Sequence, residues 1–306
     1  MRVLLLFLDG VGIGPADPSR NPFLRARLPR LRALLDDLLP AGDVAPHRAA
    51  RATLVPLDAG LGVAGLPQSG TGQTALLTGE NGPRLHGSHF GPWVPTGLRE
   101  LMRTRSVLAR SRAAGRVVAF ANAYPEELLA APTPGARRPQ FLRAGPPLAA
   151  LGAELLVRHT AALRRGDAIA SEIVNEGWRE RLDRTDLPVI SPEQAGANLA
   201  RITAGHDLTL FAHYCTDAAG HERDMAAAVA ALETVDRFLD GLLGGLADDV
   251  LLVVASDHGN IEDVSAGHTL HPALCIVAGP EHARRAGTLR SLLDVTPMIL
   301  DALGVA

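Results

Sequence analysis

The chain contains no lysine; all thirty of its basic residues are arginine. That absence excludes a Schiff base, an ammonium-activated nucleophile and a lysine contact to phosphate. Bound phosphate would have to be met by arginine, backbone amides or metal. A compositional lean toward Arg, Ala and Gly explains the pattern without selection at any one position. Cysteine is also scarce. Cys215 and Cys275 are too few and too far apart for a disulfide framework or a cysteine zinc site, and both lie in apolar runs that read as buried strands. A reduced, cytoplasmic protein is the expectation. No segment approaches a membrane span. The apolar run Val3 to Leu8 stops at Asp9 without a small-residue cleavage pattern, so it reads as a strand rather than a signal peptide. The formal net charge is -3 and no basic run occurs, which excludes nucleic acid and anionic membrane as expected partners and leaves a compact substrate. No internal repeat is visible.

What is present is an alternation of short apolar runs with helical patterns over 306 residues, enough for one large α/β domain with an insertion. Val3 to Leu8, Val117 to Phe120, Leu208 to Ala212, Val250 to Ala255 and Ala273 to Ala278 are expected as strands buried on both faces. Pro29 to Leu39, Pro192 to Thr203, Glu222 to Leu243 and Leu289 to Leu303 carry helical periodicity. Ser191 supplies a cap for the second of these and Pro192 its first turn. The pattern predicts a three-layer α/β/α fold around a mostly parallel sheet. Residues 1–122 and 188–306 form the expected core. Residues 123–187, with APTPGARRP, AGPP and an Arg-rich helix around Glu154 to Arg165, form a small inserted cap.

In such sheets ligands bind beyond the carboxyl ends of the strands. Asp9 directly follows its strand, Asp217 follows after a short turn, and Asp257 lies two residues past Ala255, so three carboxylates should converge on one edge. His221 stands four residues from Asp217 across Ala-Ala-Gly, where one loop or helix start can aim both at one ion. His258 adjoins Asp257, and His268 follows in GHT. Carboxylates and imidazoles beside a serine or threonine hydroxyl are what a pair of divalent cations needs to activate an alcohol for attack on phosphorus or sulfur. The hydroxyl lies in QSGTGQT, where Gly70 and Gly72 permit close backbone approach to a phosphoryl group and a helix starting near Thr71 would aim its amides at the anion. His213 and Cys215 are expected to alternate on the strand before Asp217 without a metal role.

The motifs LFLDGVGIG, QSGTGQTALLTG, HYCTDAAGHERD, SDHGNIED and GHTLHPA, in this order, resemble the alkaline phosphatase superfamily, within it the branch of cofactor-independent phosphoglycerate mutase and phosphopentomutase. The resemblance spans Met1 to about Gly97 and about Pro188 to the C-terminus. It implies two divalent metal ions, Mn or Zn, one held by Asp217, His221 and His268 and the other by Asp9, Asp257, His258 and the nucleophile. It places Ser69 at the nucleophile, with Thr71 as the alternative, and His268 rather than His271 among the ligands. It implies a phosphoryl-transfer enzyme that passes through a phosphoserine on a small phosphorylated substrate, in the manner of a phosphomutase. Gln73 stands where the mutases have His. That departure, the absence of Lys and the short insertion weigh toward the alternative, a phosphatase or phosphodiesterase; a metal-binding protein without turnover is the third possibility. Sulfatases share the core but need a Pro and Arg beside the nucleophile that are missing here. Candidate substrate contacts are Arg84, His86 and His89 after the nucleophile helix, and Arg137, Arg138, Asn175, Trp178 and Arg179 in the insertion.

Overall fold

A computed structural model describes residues 1–129 and 140–305. Seven strands form one sheet: β1 (Arg2–Leu8), β2 (His47–Arg48), β3 (Ala52–Leu57), β4 (Val118–Phe120), β5 (Leu208–His213), β6 (Val250–Ala255) and β7 (Ala273–Ala278). Their spatial order is β2-β3-β7-β6-β1-β5-β4. β1 pairs parallel with β5 and β6, and β4 parallel with β5, whereas β7 is antiparallel to both β6 and β3, and β2 is antiparallel to β3. Five of the seven strands therefore point the same way, and the expected largely parallel sheet of an α/β fold is present. The exceptions are β7 and β2.

Every residue of β5, β6 and β7 is buried, as is all of β1 beyond Arg2, which is why these segments read as continuous apolar runs rather than alternating ones. Alternate residues serve opposite faces. Val3, Leu5 and Phe7 pack with the helices Ser69–Thr78, Gly145–Gly152 and Val295–Leu303, while Leu4, Leu6 and Leu8 pack with Pro192–Ala204 and Met225–Gly245. Each fully buried Leu or Phe of this kind contributes about 1.5–3 kcal/mol of transfer free energy. Ser191 caps its helix by accepting from the Gln194 N–H, with Pro192 in the first turn.

Several boundaries differ from expectation for local backbone reasons. The first helix stops at Leu34, after which Asp36 and Asp37 take left-handed conformations. The expected helix from Glu222 is interrupted at Arg223, also left-handed, so Cys215–Glu222 forms its own helix and Asp224 caps the next. Cys215 thus begins a helix instead of continuing a strand, and it does not alternate with His213, the last residue of β5. The Arg-rich helix is limited to Thr160–Arg165, because Glu154 is left-handed and ends the preceding helix. β3 was not expected, since Pro56 interrupts its apolar run. The strand tolerates this proline because its outer partner β2 reaches only Thr53 and Leu54.

Within 123–187, Gly145–Gly152 packs against Ser69–Thr78 and Arg99–Arg105. Ala123, Leu163, Ala168, Ala170, Trp178 and Leu187 form a small apolar cluster of their own. Among the described residues no helix is long and apolar enough to cross a membrane.

Candidate metal centre

Strand direction decides what meets at the sheet edge. β1, β5 and β6 end together and deliver Asp9, Asp217 at the third position of helix Cys215–Glu222, and Asp257. Because β7 runs against β6, the loop between them starts and finishes at this same edge and brings His258 and His268. β3 runs in the direction of β6, so its chain also leaves at this edge and reaches Ser69, the first residue of helix Ser69–Thr78.

The side chains converge. Nε2 of His258 lies 2.9 Å from Ser69 Oγ, 3.4 Å from Asp9 Oδ1 and 3.6 Å from Asp257 Oδ2. Nε2 of His268 lies 3.2 Å from His221 Nε2 and 3.7 Å from Asp217 Oδ1, and His221 Nε2 lies 3.3 Å from Asp217 Oδ2. Two compact donor groups result, Asp9 with Asp257 and His258, and Asp217 with His258 and His268. His258 borders both. It is wholly buried, whereas the His221 side chain is 55% exposed.

The ring orientations suit ligation. His268 Nδ1 donates to the Pro67 carbonyl at 2.9 Å and His258 Nδ1 to the Gly259 carbonyl at 3.2 Å, which leaves both Nε2 atoms facing the cluster. Asp9 Oδ1 and Asp257 Oδ2 are buried without a hydrogen-bond partner. Among the described residues no arginine pairs with any of the three carboxylates. Burial and then the charge of Asp257 hold Asp9 well above the ordinary carboxylate range, and burial likewise raises Asp257. Burial opposes a charged ring at His258, yet Asp257 and Asp9 push it up to about 10. Burial, and then the neighbouring His258, push His268 down to about 4. Orphaned carboxylate oxygens and free imidazole nitrogens aimed at one small volume are the donor set of divalent cations, so these residues fit the implied metals.

The two hydroxyl candidates separate. Ser69 Oγ faces His258, while the Thr71 hydroxyl is engaged with backbone, receiving the Phe90 N–H at 3.1 Å and lying 3.3 Å from the Gln68 carbonyl. Among the described residues, the candidate substrate contacts have partners other than the metal donors or are exposed. Arg84 and His86 are exposed on helix Gly82–His86, His86 meets the Phe90 ring edge to face, and His89 Nε2 meets the Val63 carbonyl. Asn175 is buried and donates to the Pro188 carbonyl; Trp178 sits in the small apolar cluster; Arg179 donates to the Thr185 and Leu187 carbonyls of its own segment. Arg137 and Arg138 lie outside the described residues.

Two supporting residues, Glu262 and Asn260, were not singled out from sequence, and Gln73 was noted only as standing where the mutases have His. Glu262 is wholly buried and accepts from the N–H groups of Gly12 and Asn260, the Thr269 hydroxyl at 2.5 Å and His271 Nδ1 at 3.1 Å. It ties together the loops that carry Asp9, His258 and His268, and it holds His271 beside the donor cluster rather than in it. Asn260 Nδ2 donates to Asp217 Oδ1 at 2.7 Å. Gln73 Nε2 donates to Asp9 Oδ2 at 3.2 Å. Asn260 and Glu262 both fall in the SDHGNIED motif, where the adjoining DH pair is the conspicuous feature. Glycine is required where the loops touch: Gly10 has φ +66° and a Cβ there would collide with the Asp217 carboxylate, while one at Gly72 would meet the Asp257 carbonyl at 2.7 Å.

Comparison with known proteins bears on the fold and on part of the sequence. Residues 191–306 match the family model described as Metalloenzyme superfamily. The structure superposes over its whole length on an alkaline phosphatase from the Antarctic bacterium TAB5, covering 98% of that chain with a TM-score of 0.52 at 11% identity. A cold-active alkaline phosphatase from Shewanella sp. gives 0.53 at 11% identity, covering 99% of this chain and 100% of that one, and a protein of Pyrococcus horikoshii gives 0.56 at 14%, covering 100% and 97%. The fold is that of the alkaline phosphatases, and the C-terminal part of the chain matches the Metalloenzyme superfamily. In sequence the chain is similar, over part of its length, to cofactor-independent phosphoglycerate mutases. It is 35% identical over 121 residues to the 2,3-bisphosphoglycerate-independent phosphoglycerate mutase of Desulforudis audaxviator, a match covering 37% of this chain and 24% of that protein. It is 37% identical over 127 residues to that of Paracoccus denitrificans, covering 38% and 24%. The match thus spans about a quarter of the length of these curated relatives.

Proposed function

We propose that this protein is a metal-dependent phosphoryl-transfer enzyme that uses Ser69 as nucleophile on a small phosphorylated substrate. The observation that carries the reading is the meeting of Ser69 Oγ with His258 Nε2 at 2.9 Å beside buried, unpartnered oxygens of Asp9 and Asp257. Asp217, His221 and His268 would hold one divalent cation, and Asp9, Asp257, His258 and Ser69 the other; Mn and Zn both suit mixed oxygen and imidazole donors. Such ions, when bound, lower the pKa of a coordinated hydroxyl and offset the charge of a phosphate group.

The chain's own groups supply the rest. Ser69 opens a ten-residue helix, whose N-terminal dipole favours an anion in front of it. Without lysine, the phosphate charge falls to backbone amides, arginine and the metal ions. Asn260 holds the Asp217 carboxylate in place, and the His258 and His268 rings are fixed by backbone carbonyls. The transferred group would rest on Ser69 before moving on, either back to the substrate as in a phosphomutase or to water as in a phosphatase. The exposure of His221 favours the second route, because it leaves the outer side of the site open to solvent. Residues 1–122 and 188–306 act in this reading as the catalytic core, and 123–187 as an insertion that touches it through Gly145–Gly152.

Metal analysis and an aryl phosphate assay test the proposal together. We expect two divalent ions per chain and slow hydrolysis that is lost with chelator and regained with Mn or Zn. A chain that binds no transition metal would end this reading. Candidate sugar phosphates, followed for isomerised product against released inorganic phosphate, separate mutase from hydrolase.

A further inference from the structure

Gln73 is almost completely buried, and its amide spans two parts of the chain that are far apart in sequence. Nε2 donates to Asp9 Oδ2 at 3.2 Å, and Oε1 accepts the backbone N–H of Gly145 at 2.8 Å. The orientation of the amide is unambiguous: a carboxylate oxygen accepts and a backbone N–H donates, so only one placement of its nitrogen and oxygen satisfies both. Gly145 is the first residue of helix Gly145–Gly152, which packs on the helix that carries Gln73. A Cβ on Gly145 would stand 2.7 Å from Gln73 Cβ, so glycine is what lets the two segments close over this amide.

The consequence for Asp9 is directional. With Oδ2 held by Gln73, Oδ1 is left without a hydrogen bond and lies 3.4 Å from His258 Nε2. We propose that Gln73 is a positioning residue, which selects the Asp9 oxygen presented to the metal on the Ser69 side and ties occupancy of that site to docking of helix Gly145–Gly152. The inference rests on the reading of Asp9 as a ligand. It goes further in assigning a role to a residue outside the ligand set and a link between the inserted segment and one metal alone. Partners that orient a ligand typically set metal affinity by about 10–100-fold.

The test is calorimetric titration of the whole metal-free chain with Mn2+, comparing wild type, Gln73→Met and Gly145→Ala, with circular dichroism to confirm folding. Methionine keeps the volume but can neither donate to Asp9 nor accept from Gly145. Alanine at Gly145 presses on Gln73 without touching Asp9. Wild type should bind two ions. Gln73→Met should weaken one of them about 10–100-fold while the other, held by Asp217, His221 and His268, keeps its affinity. Gly145→Ala should weaken the same ion to a smaller degree, and it decides the matter if Gln73→Met does not fold. Protection of amides in 145–152 against hydrogen exchange should rise with Mn2+ in wild type and not in Gln73→Met. Two ions bound with unchanged affinities in the variants, or both weakened equally, would overturn the positioning role and leave the proposed function standing. A wild-type chain that binds no Mn2+ would overturn both.

Discussion

Ser69 Oγ lies 2.9 Å from Nε2 of His258, and two residues further along the same helix the Thr71 hydroxyl is engaged with the backbone of Gln68 and Phe90 instead. Ser69→Ala should therefore lower phosphoryl transfer by a factor of about 10^4 or more with the fold intact. Thr71→Val should retain turnover and lose stability, about 1–3 kcal/mol, because the Phe90 N–H is left unpaired. Steady-state rates on an aryl phosphate, together with denaturant midpoints, check both halves. Wild-type turnover in Ser69→Ala would move the nucleophile to Thr71.

The convergence of Asp9, Asp217 and Asp257 on one sheet edge was legible because each follows an apolar run that can only be a buried strand, and that of His258 because it adjoins Asp257. The route by which Ser69 reaches them was not. It depends on β3, whose run is broken by Pro56, and on the antiparallel turn of β7, which no local pattern announces. Glu262 was hidden for a different reason. A carboxylate on a loop ordinarily reads as a solvated charge, and only the folded arrangement reveals four donors aimed at it. For two of the substrate candidates the same ground works in reverse: Arg179 and Asn175 donate to backbone carbonyls within and beside their own segment, a use that spacing does not disclose.

His268 and His271 are three residues apart, yet only His268 faces the cluster; His271 donates to Glu262 and is held above its ordinary pKa by that hydrogen bond. His268→Ala should remove one metal and cut activity by orders of magnitude. His271→Ala should keep both metals and cost a fraction of the stability. Metal content per chain after dialysis distinguishes them, and loss of a metal from His271→Ala with retention in His268→Ala would reverse the assignment.

Gly10 combines a left-handed backbone with contact against Asp217. Alanine there incurs about 1–2 kcal/mol of conformational cost, and its Cβ must also displace the Asp217 carboxylate. Gly10→Ala should thus lower the melting temperature and weaken the metal held by Asp217. The rise in melting temperature produced by Mn2+ is the measurement: it should shrink in the variant, and a rise equal to that of wild type would mean that Asp217 is not displaced.

His213 ends β5 with its ring buried, Nδ1 donating to the Ser171 carbonyl at 2.8 Å and Nε2 unpartnered. Burial pushes it down to about 4. An unfolded chain takes up a proton on this side chain near pH 6.5, so between about 6.5 and about 4 the unfolded state binds a proton that the native state refuses. Stability then rises with pH across that window and is lost as pH falls through it, by at most about 1.4 kcal/mol per pH unit for one proton. His213→Gln keeps a donor for the Ser171 carbonyl and removes the titration, so its unfolding free energy should fall less steeply between pH 6.5 and 4.5. His268 contributes with the same sign in the metal-free chain, and its effect cancels when wild type and variant are compared in the same buffer. Urea unfolding at a series of pH values reads the two slopes. If they coincide, the ring is not refusing its proton, and β5 ends in a position open enough for a charged histidine.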